Sequence, residues 1–266
     1  MNRLLSTEEV QNKLLNVMIE FDKFCRNKNL RYYLIGGSLL GAVRHGGFIP
    51  WDDDMDVGML RDDYERFLTL LNDFSIQCDI RNFRNCKYCD YVITRIYINN
   101  TLIDNEFVAD TKLDKRLYLD IFPLDYVPDD NRLANKQETN ILRKKKIIGY
   151  LDPKNYNNGK VVVAIKKIMS FGLKPFRQHI LCNLEREMTK YSKTNHVCSL
   201  ASQYSYKKQY FPFDVYGNPK EYDFCGYKFL GPANSDYYLT QLYGNDYMEL
   251  PPVEKRRKGW NVYACN

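Results

Sequence analysis

The stretch from Tyr33 to Gly58, YLIGGSLLGAVRHGGFIPWDDDMDVG, constrains this chain more than any other. Leu34 and Ile35 close an apolar run that reads as the end of a buried strand, and Gly36-Gly37-Ser38 reads as a tight strand-to-helix turn. A segment of helix length follows, and then Asp52, Asp53, Asp54 and Asp56 fall within five positions. Asp54-Met55-Asp56-Val57 alternates like the start of a second strand, which puts Asp54 and Asp56 on one face and sends Met55 and Val57 into the core. Two carboxylates that close repel each other unless a cation lies between them. Hard oxygen ligands favour Mg²⁺ or Mn²⁺, and a small turn beside such an ion offers N–H groups to a phosphate. The pattern points to phosphate and metal together.

A calcium loop is the structural rival and fails on spacing. Counted from Asp52, such a loop needs Gly at its sixth position and Glu at its twelfth, where this chain has Val57 and Asp63. Asp52 alternates with Asp54 and Asp56 and is a further candidate, as an outer ligand or an orienting group. Asp53 faces the other way and reads as structural. Gly36, Gly37 and Ser38 are candidate phosphate-binding residues, Ser38 gripping a phosphate with the N–H groups around Gly37 and Ser38. Arg44 and His45, just past the short helix, are placed to neutralise a diphosphate, although His45 suits a backbone carbonyl equally well.

Composition narrows the setting. In 266 residues, 44% hydrophobic and 27% charged content describes a globular chain with a substantial core. The net charge of +6 suits a polyanionic partner or an anionic membrane surface. Met1 to Gln11 is polar, without the apolar core of a signal peptide, and no run reaches the ~20 apolar residues of a membrane span. A cytoplasmic protein is expected, with peripheral contact at the inner face of the plasma membrane. The eight cysteines are scattered and expected to be reduced, and Cys86-x-x-Cys89 lacks the second pair of a zinc ribbon.

Along the chain, Ser6-Thr7-Glu8-Glu9 reads as a capping box opening a helix to about Asn27, with Val10, Leu14, Val17, Met18, Phe21, Phe24 and Cys25 on its apolar face. A helix is predicted over Asp62 to Asp73. Strands are predicted over 91–98 and 102–108 around a hairpin-like Asn99-Asn100-Thr101 turn, and over Leu117 to Phe122. Asp125, after Pro123-Leu124, reads as a loop cap. Residues 132–147 look helical, and Arg143-Lys144-Lys145-Lys146 reads as a solvated face. The apolar and basic run from Val161 to Phe176 is broken by Gly172 and Pro175; it reads as a core helix or a segment lying in the membrane interface. The organisation predicted is a core over 1–130, a basic helical insertion over 131–195 and a C-terminal part over 196–266 that completes the site.

The Gly-Gly-Ser turn followed by paired Asp resembles the nucleotidyltransferase fold. Gly41, Arg44-His45, Gly47-Phe48-Ile49-Pro50-Trp51 and the Asp cluster resemble the LicD family of phosphotransferases, to whose wider group the fukutin-type ribitol-phosphate transferases belong. The tail, Tyr243-Gly244-Asn245-Asp246-Tyr247-Met248 with Leu250-Pro251-Pro252, carries the same resemblance. It implies an α+β fold with a mixed sheet flanked by helices. Asp54 and Asp56 match the family's Asp-x-Asp pair. The third carboxylate comes from a neighbouring strand, for which Asp120 is the candidate; its bland alternative is an aspartate stabilising a strand end. The implied reaction moves phosphocholine from CDP-choline, or another alcohol phosphate from a CDP-alcohol, to a sugar of a teichoic acid or a lipid-linked glycan. The rivals are a nucleotidyltransferase that releases pyrophosphate, and a membrane- or nucleic-acid-binding module. Nucleic acid is not an expected partner.

Overall fold

The computed structural model describes residues 2–74, 78–89, 91–104, 114–151, 160–256 and 259–265, leaving aside the side chains of 160–164, 166 and 167. After β1 (Arg3–Leu4), helix α1 (Thr7–Asn27) starts where its cap dictates. The Ser6 hydroxyl accepts from the Glu9 N–H at 3.2 Å, and the Glu9 carboxylate accepts from the Ser6 N–H at 2.9 Å. The seven apolar residues predicted for its inner face are all buried.

Strand β2 (Tyr33–Leu34) leads straight into α2 (Gly36–His45), so Gly36-Gly37-Ser38 forms the first turn of the helix itself. Gly46, at φ +64°, ends α2 in the left-handed region and donates its N–H to the Ala42 carbonyl at 3.1 Å. The chain then folds back so tightly that a Cβ on Gly41 would stand 2.4 Å from the Gly47 carbonyl oxygen. Gly41 is thereby explained: only a bare Cα lets the backbone of residues 47–49 pass this close to the helix. Gly41→Ala is expected to cost about 1–3 kcal/mol, because backbone rather than a movable side chain stands in the way. Urea unfolding measures it, and an unchanged midpoint would reject the account.

Strand β3 (Asp56–Leu60) and helix α3 (Arg61–Thr69) follow, then β4 (Asp79–Arg81), β5 (Thr94–Tyr97), β6 (Thr101–Asp104) and β7 (Tyr118–Val127). The mixed sheet runs β2-β3-β7-β5-β4, with β3 and β7 parallel and the other neighbours antiparallel. Around it lie α4 (Asn131–Ile148), α5 (Lys160–Leu173), α6 (Arg177–Met188), β8 (His196–Cys198), α7 (Tyr206–Gln209), β9 (Tyr210–Pro212) and α8 (Phe213–Tyr216). The hairpin β10 (Lys220–Phe224) and β11 (Tyr227–Gly231), helix α9 (Ser235–Tyr243) and β12 (Asn261–Ala264) complete the α+β fold.

Two local expectations are corrected. Residues 94–97 and 101–104 do not pair with each other: β5 joins the main sheet, while β6 pairs with β12, which also pairs with β1. The rest of the predicted 102–108 strand lies outside the described residues. In addition, β7 does not stop at Phe122. The Asp120 N–H bonds back to Met55 on the β3 side at 3.1 Å, so by alternation the nitrogens of Ile121, Pro123 and Asp125 face the other edge. There β5 ends opposite Ile121 and β8 begins opposite Asp125, so the missing N–H of Pro123 falls in the gap. Asp125 is therefore a central-strand residue and no loop cap. It is fully buried, and the Arg61 Nε and Nη2 donate to its two oxygens at 2.7 and 3.0 Å.

Helices α4 and α6 pack through Ile141, Leu181, Leu184 and Met188 into a second apolar cluster shared with Phe83, Val92 and Leu200. Among the described residues, no helix is long and apolar enough to cross a membrane.

Candidate active site

Three neighbouring strands bring one acid, a second acid and one base into a row. Asp56 on β3 stands directly opposite Asp120 on β7, and Asp120 stands opposite Arg95 on β5. Register partners point to the same face, so these side chains meet across the sheet surface. The Arg95 Nε donates to Asp120 at 2.8 Å, and both side chains are largely buried, at 18% and 14% exposure. The guanidinium lies over the Tyr91 ring at 4.2 Å and over the Tyr118 ring at 4.0 Å.

Asp54 joins them from the loop before β3 rather than from the strand, so its position comes from the chain's approach and not from alternation. Asp54, Asp56 and Asp120 line one cavity of about 390 Å³ together with Arg95, Tyr118, Tyr204 and Trp260. Asp53 turns away, as expected: it is buried, and its carboxylate accepts the Trp260 N–H. That contact brings the C-terminal tail to the cavity, where the Trp260 and Tyr118 rings pack 5.7 Å apart. A Cβ on Gly37 would lie 2.9 Å from an Asp52 oxygen, so Asp52 stands against the first turn of α2.

The other predicted residues take definite places. The Ser38 hydroxyl accepts the Asp56 N–H at 2.8 Å and so ties the start of α2 to the start of β3. The Gly36 N–H donates to the Tyr238 hydroxyl at 3.1 Å. Arg44 is not in the lining of the cavity that holds the three aspartates. It donates to the carbonyls of Tyr247 and Glu249 at 2.9 and 3.0 Å and lines a separate cavity of about 440 Å³ with Trp51, Tyr243 and Leu250. The His45 Nε2 accepts from the Arg44 Nε at 3.0 Å, and burial followed by the Arg44 charge lowers the imidazole's pKa.

Burial and mutual repulsion shape the electrostatics of the row. Burial first, then the charges of Asp54, Asp120 and Asp52, push Asp56 well above the ordinary carboxylate range. Burial also raises Asp120, although Arg95 works against that shift. Burial disfavours the Arg95 charge, but Asp120 and the surrounding tyrosines outweigh it, and its pKa lies well above the usual value. Several carboxylates thus crowd one another here, and a donor set of carboxylate oxygens suits a hard divalent cation. Among the described residues, no group of three or more His, Cys, Asp and Glu side chains forms a ready-made metal site. The fit to Mg²⁺ or Mn²⁺ rests on the charge of the donor set. All eight cysteines are free thiols.

Sequence reasoning passed over Arg95, Trp260 and Tyr204. Arg95 carried a readable signal, being the single charge in the apolar run Tyr91 to Ile98, just as Asp120 is in the run Leu117 to Phe122. Trp260 carried none, since contacts with residues far off in sequence, Asp53 and Tyr118 among them, bring it in.

The family model described as LicD/FKTN/FKRP, nucleotidyltransferase domain, matches residues 29–147, which hold the whole row of Asp56, Asp120 and Arg95. The chain is 30% identical over 269 residues to Lipopolysaccharide cholinephosphotransferase LicD of Haemophilus influenzae, covering 95% of each chain. It is 62% identical over 34 residues to Ribitol 5-phosphate transferase FKRP of Mus musculus, covering 13% of this chain and 7% of that one. A protein of Rickettsia typhi, RT0683, is 39% identical over 61 residues, covering 23% of this chain and 20% of that one. The class defined is thus one with a nucleotidyltransferase domain. Identity sustained along both chains goes further: this chain belongs to the LicD family of phosphotransferases.

Proposed function

We propose that the chain transfers phosphocholine from CDP-choline to a sugar hydroxyl of a cell-surface glycan precursor, such as that of a teichoic acid. The observation that carries this is the similarity over 95% of both chains to a relative named as a cholinephosphotransferase. The row of Asp56, Asp120 and Arg95 over one cavity with Asp54 supports it. Asp54, Asp56 and Asp120 would hold Mg²⁺ or Mn²⁺, with Asp52 as an outer group. Bound there, the ion would offset the negative charge of the donor's phosphates. The N–H groups of Gly37 and Ser38, at the positive end of α2, would receive a phosphate oxygen.

In this reaction the sugar hydroxyl attacks the phosphorus that carries choline. A new P–O bond to the sugar forms while the anhydride bond breaks, and CMP leaves with the bonding pair. The hydroxyl proton passes to a carboxylate. Asp120 is our candidate, because it stands opposite Asp56 on the neighbouring strand and lines the same cavity. Arg95 holds that carboxylate in place. Positioning and charge neutralisation supply most of the rate.

Incubation with Mg²⁺ and a panel of CDP-alcohols tests this reading. CMP is expected from CDP-choline and is lost on chelation. Pyrophosphate formed from CTP, with no CMP from any CDP-alcohol, would overturn it in favour of nucleotidyl transfer.

We also propose that the enzyme works in the cytoplasm, resting on an anionic membrane through α5 and the turn after it. Ile168, Phe171 and Phe176 are 73%, 84% and 62% exposed there, and Lys174 adds positive charge beside them. The side chains of Val161 to Ala164, Lys166 and Lys167, part of the same expectation, lie outside the described residues. The protein is expected to float with phosphatidylglycerol vesicles at low salt and not with phosphatidylcholine ones. Failure to float with either would end this proposal.

A further inference from the structure

The basic run on α4 contains one lysine that does not behave as a solvated charge. Arg143 and Lys146 are exposed, whereas Lys145 turns inward and lines the same cavity as Asp54, Asp56 and Asp120. Its Nζ donates to the Ser202 carbonyl at 2.9 Å, and among the described residues no carboxylate lies within ion-pair distance of it. A carbonyl satisfies one of the three ammonium donors and none of the charge. Burial accordingly lowers the pKa of Lys145. An anion arriving in the cavity would relieve that cost and would meet Arg95 as a second cation.

We propose that Lys145 is a phosphate-binding residue, whose ammonium takes an anionic oxygen of the donor's diphosphate. The proposal rests on the reading that this cavity receives a nucleoside diphosphate. Lysine serves phosphate well as a point charge on a flexible stem. Helix α4 holds the stem in place: Ile141, one turn before it, is buried in the second apolar cluster, and Ile148 after it packs against that cluster. The loop at 201–204 forms the adjoining wall, where the Ser202 hydroxyl accepts the Tyr204 N–H at 3.1 Å.

The plain structural alternative is that Lys145 only fastens α4 to the Ser202 carbonyl. Lys145→Gln separates the two roles, because it keeps an amide donor for that carbonyl and removes the charge. Lys145→Arg keeps the charge. Calorimetric titration with inorganic pyrophosphate in Mg²⁺ probes the site without a nucleoside or an alcohol. Lys145→Gln is expected to weaken pyrophosphate binding about ten- to hundredfold, the range for one charge-assisted contact, with Lys145→Arg recovering most of it. Urea midpoints of all three proteins should agree closely. Pyrophosphate binding equal to wild type in Lys145→Gln, or lost equally in both variants, would overturn the proposal, as would a wild type that does not bind pyrophosphate. CMP release measured on the same preparations separates this from the donor assignment. Turnover of CDP-choline with binding indifferent to Lys145 keeps the function and discards the lysine's role. Charge-dependent binding without turnover of any CDP-alcohol keeps the lysine's role and discards the donor.

Discussion

Asp56→Asn is expected to lower turnover of the CDP-alcohol by a factor on the order of 10³, comparable to removing a preorganised charge from other sites, while raising the melting temperature of the metal-free protein. The two effects share one cause. Asp56 is crowded by Asp54, Asp120 and Asp52 in a buried position, so its folded-state pKa lies well above the ordinary 3.8. For an acid shifted upwards, the folded protein binds the proton more tightly than the unfolded chain does. The stability linked to that proton is complete below the unfolded value and is lost as pH rises through the folded one. Above the unfolded value the metal-free wild type therefore carries a cost, as repulsion or as proton uptake, that asparagine lacks, and each kcal/mol relieved appears as about 2–4 °C in Tm.

In chelator, wild-type Tm should rise as pH falls towards Asp56's range, and the variant's should rise less, since only Asp120 of the pair remains to take up a proton. Asp79 and Asp114 work in the opposite sense. Arg116 holds Asp79 below 3.8, and at Asp114 the bonds from Arg116 outweigh the upward push of burial. Their contribution is present above the unfolded value and fails only in stronger acid. Mg²⁺ should then raise wild-type Tm and leave the variant nearly unmoved, since only a ligand bound to the native state stabilises it. Identical pH profiles for the two proteins, or CMP release retained by the variant, would remove Asp56 from the site.

Asp125→Ala should cost about 3–5 kcal/mol, a large part of the stability of an ordinary domain. Asp125 is 0% exposed, and Arg61 holds it through two bonds while also reaching Glu65 at 3.1 Å and lying 5.1 Å from the centre of the Tyr64 ring. Removing the acid takes away the two-bond partner of a buried guanidinium between α3 and β7, leaving it Glu65 at 3.1 Å and Glu185 on α6 at 3.5 Å. The loss comes mostly from the stranded charge and little from the pair's own attraction. The double variant Arg61→Met/Asp125→Leu should consequently regain most of the stability. Urea unfolding of the two single variants and the double gives the coupling directly. A cost below about 1 kcal/mol for Asp125→Ala would show that the pair is not shut off from water.

How much was readable beforehand follows from the range of the forces involved. The Ser6 cap and the apolar face of α1 depend on neighbours within a turn, so they stand in the sequence as they stand in the fold. The glycines at 41 and 47 were visible, but their reasons, a close backbone pass at Gly41 and the approach of Cys225 at Gly47, were not. Pro123 misled because prolines usually end strands, and only the gap between β5 and β8 admits one there.

The residues themselves determined the helices, the acid cluster and, through family resemblance, the choice of Asp120, since caps, periodicity and motif spacing are properties of short stretches. Only the assembled sheet decided that Asp56, Asp120 and Arg95 stand abreast, that Trp260 returns to the same cavity, and that Lys145 faces inward from a run of surface cations. Those placements join residues far apart along the chain. No local preference encodes them, because the energy that holds them arises only once strands and helices close around a common core.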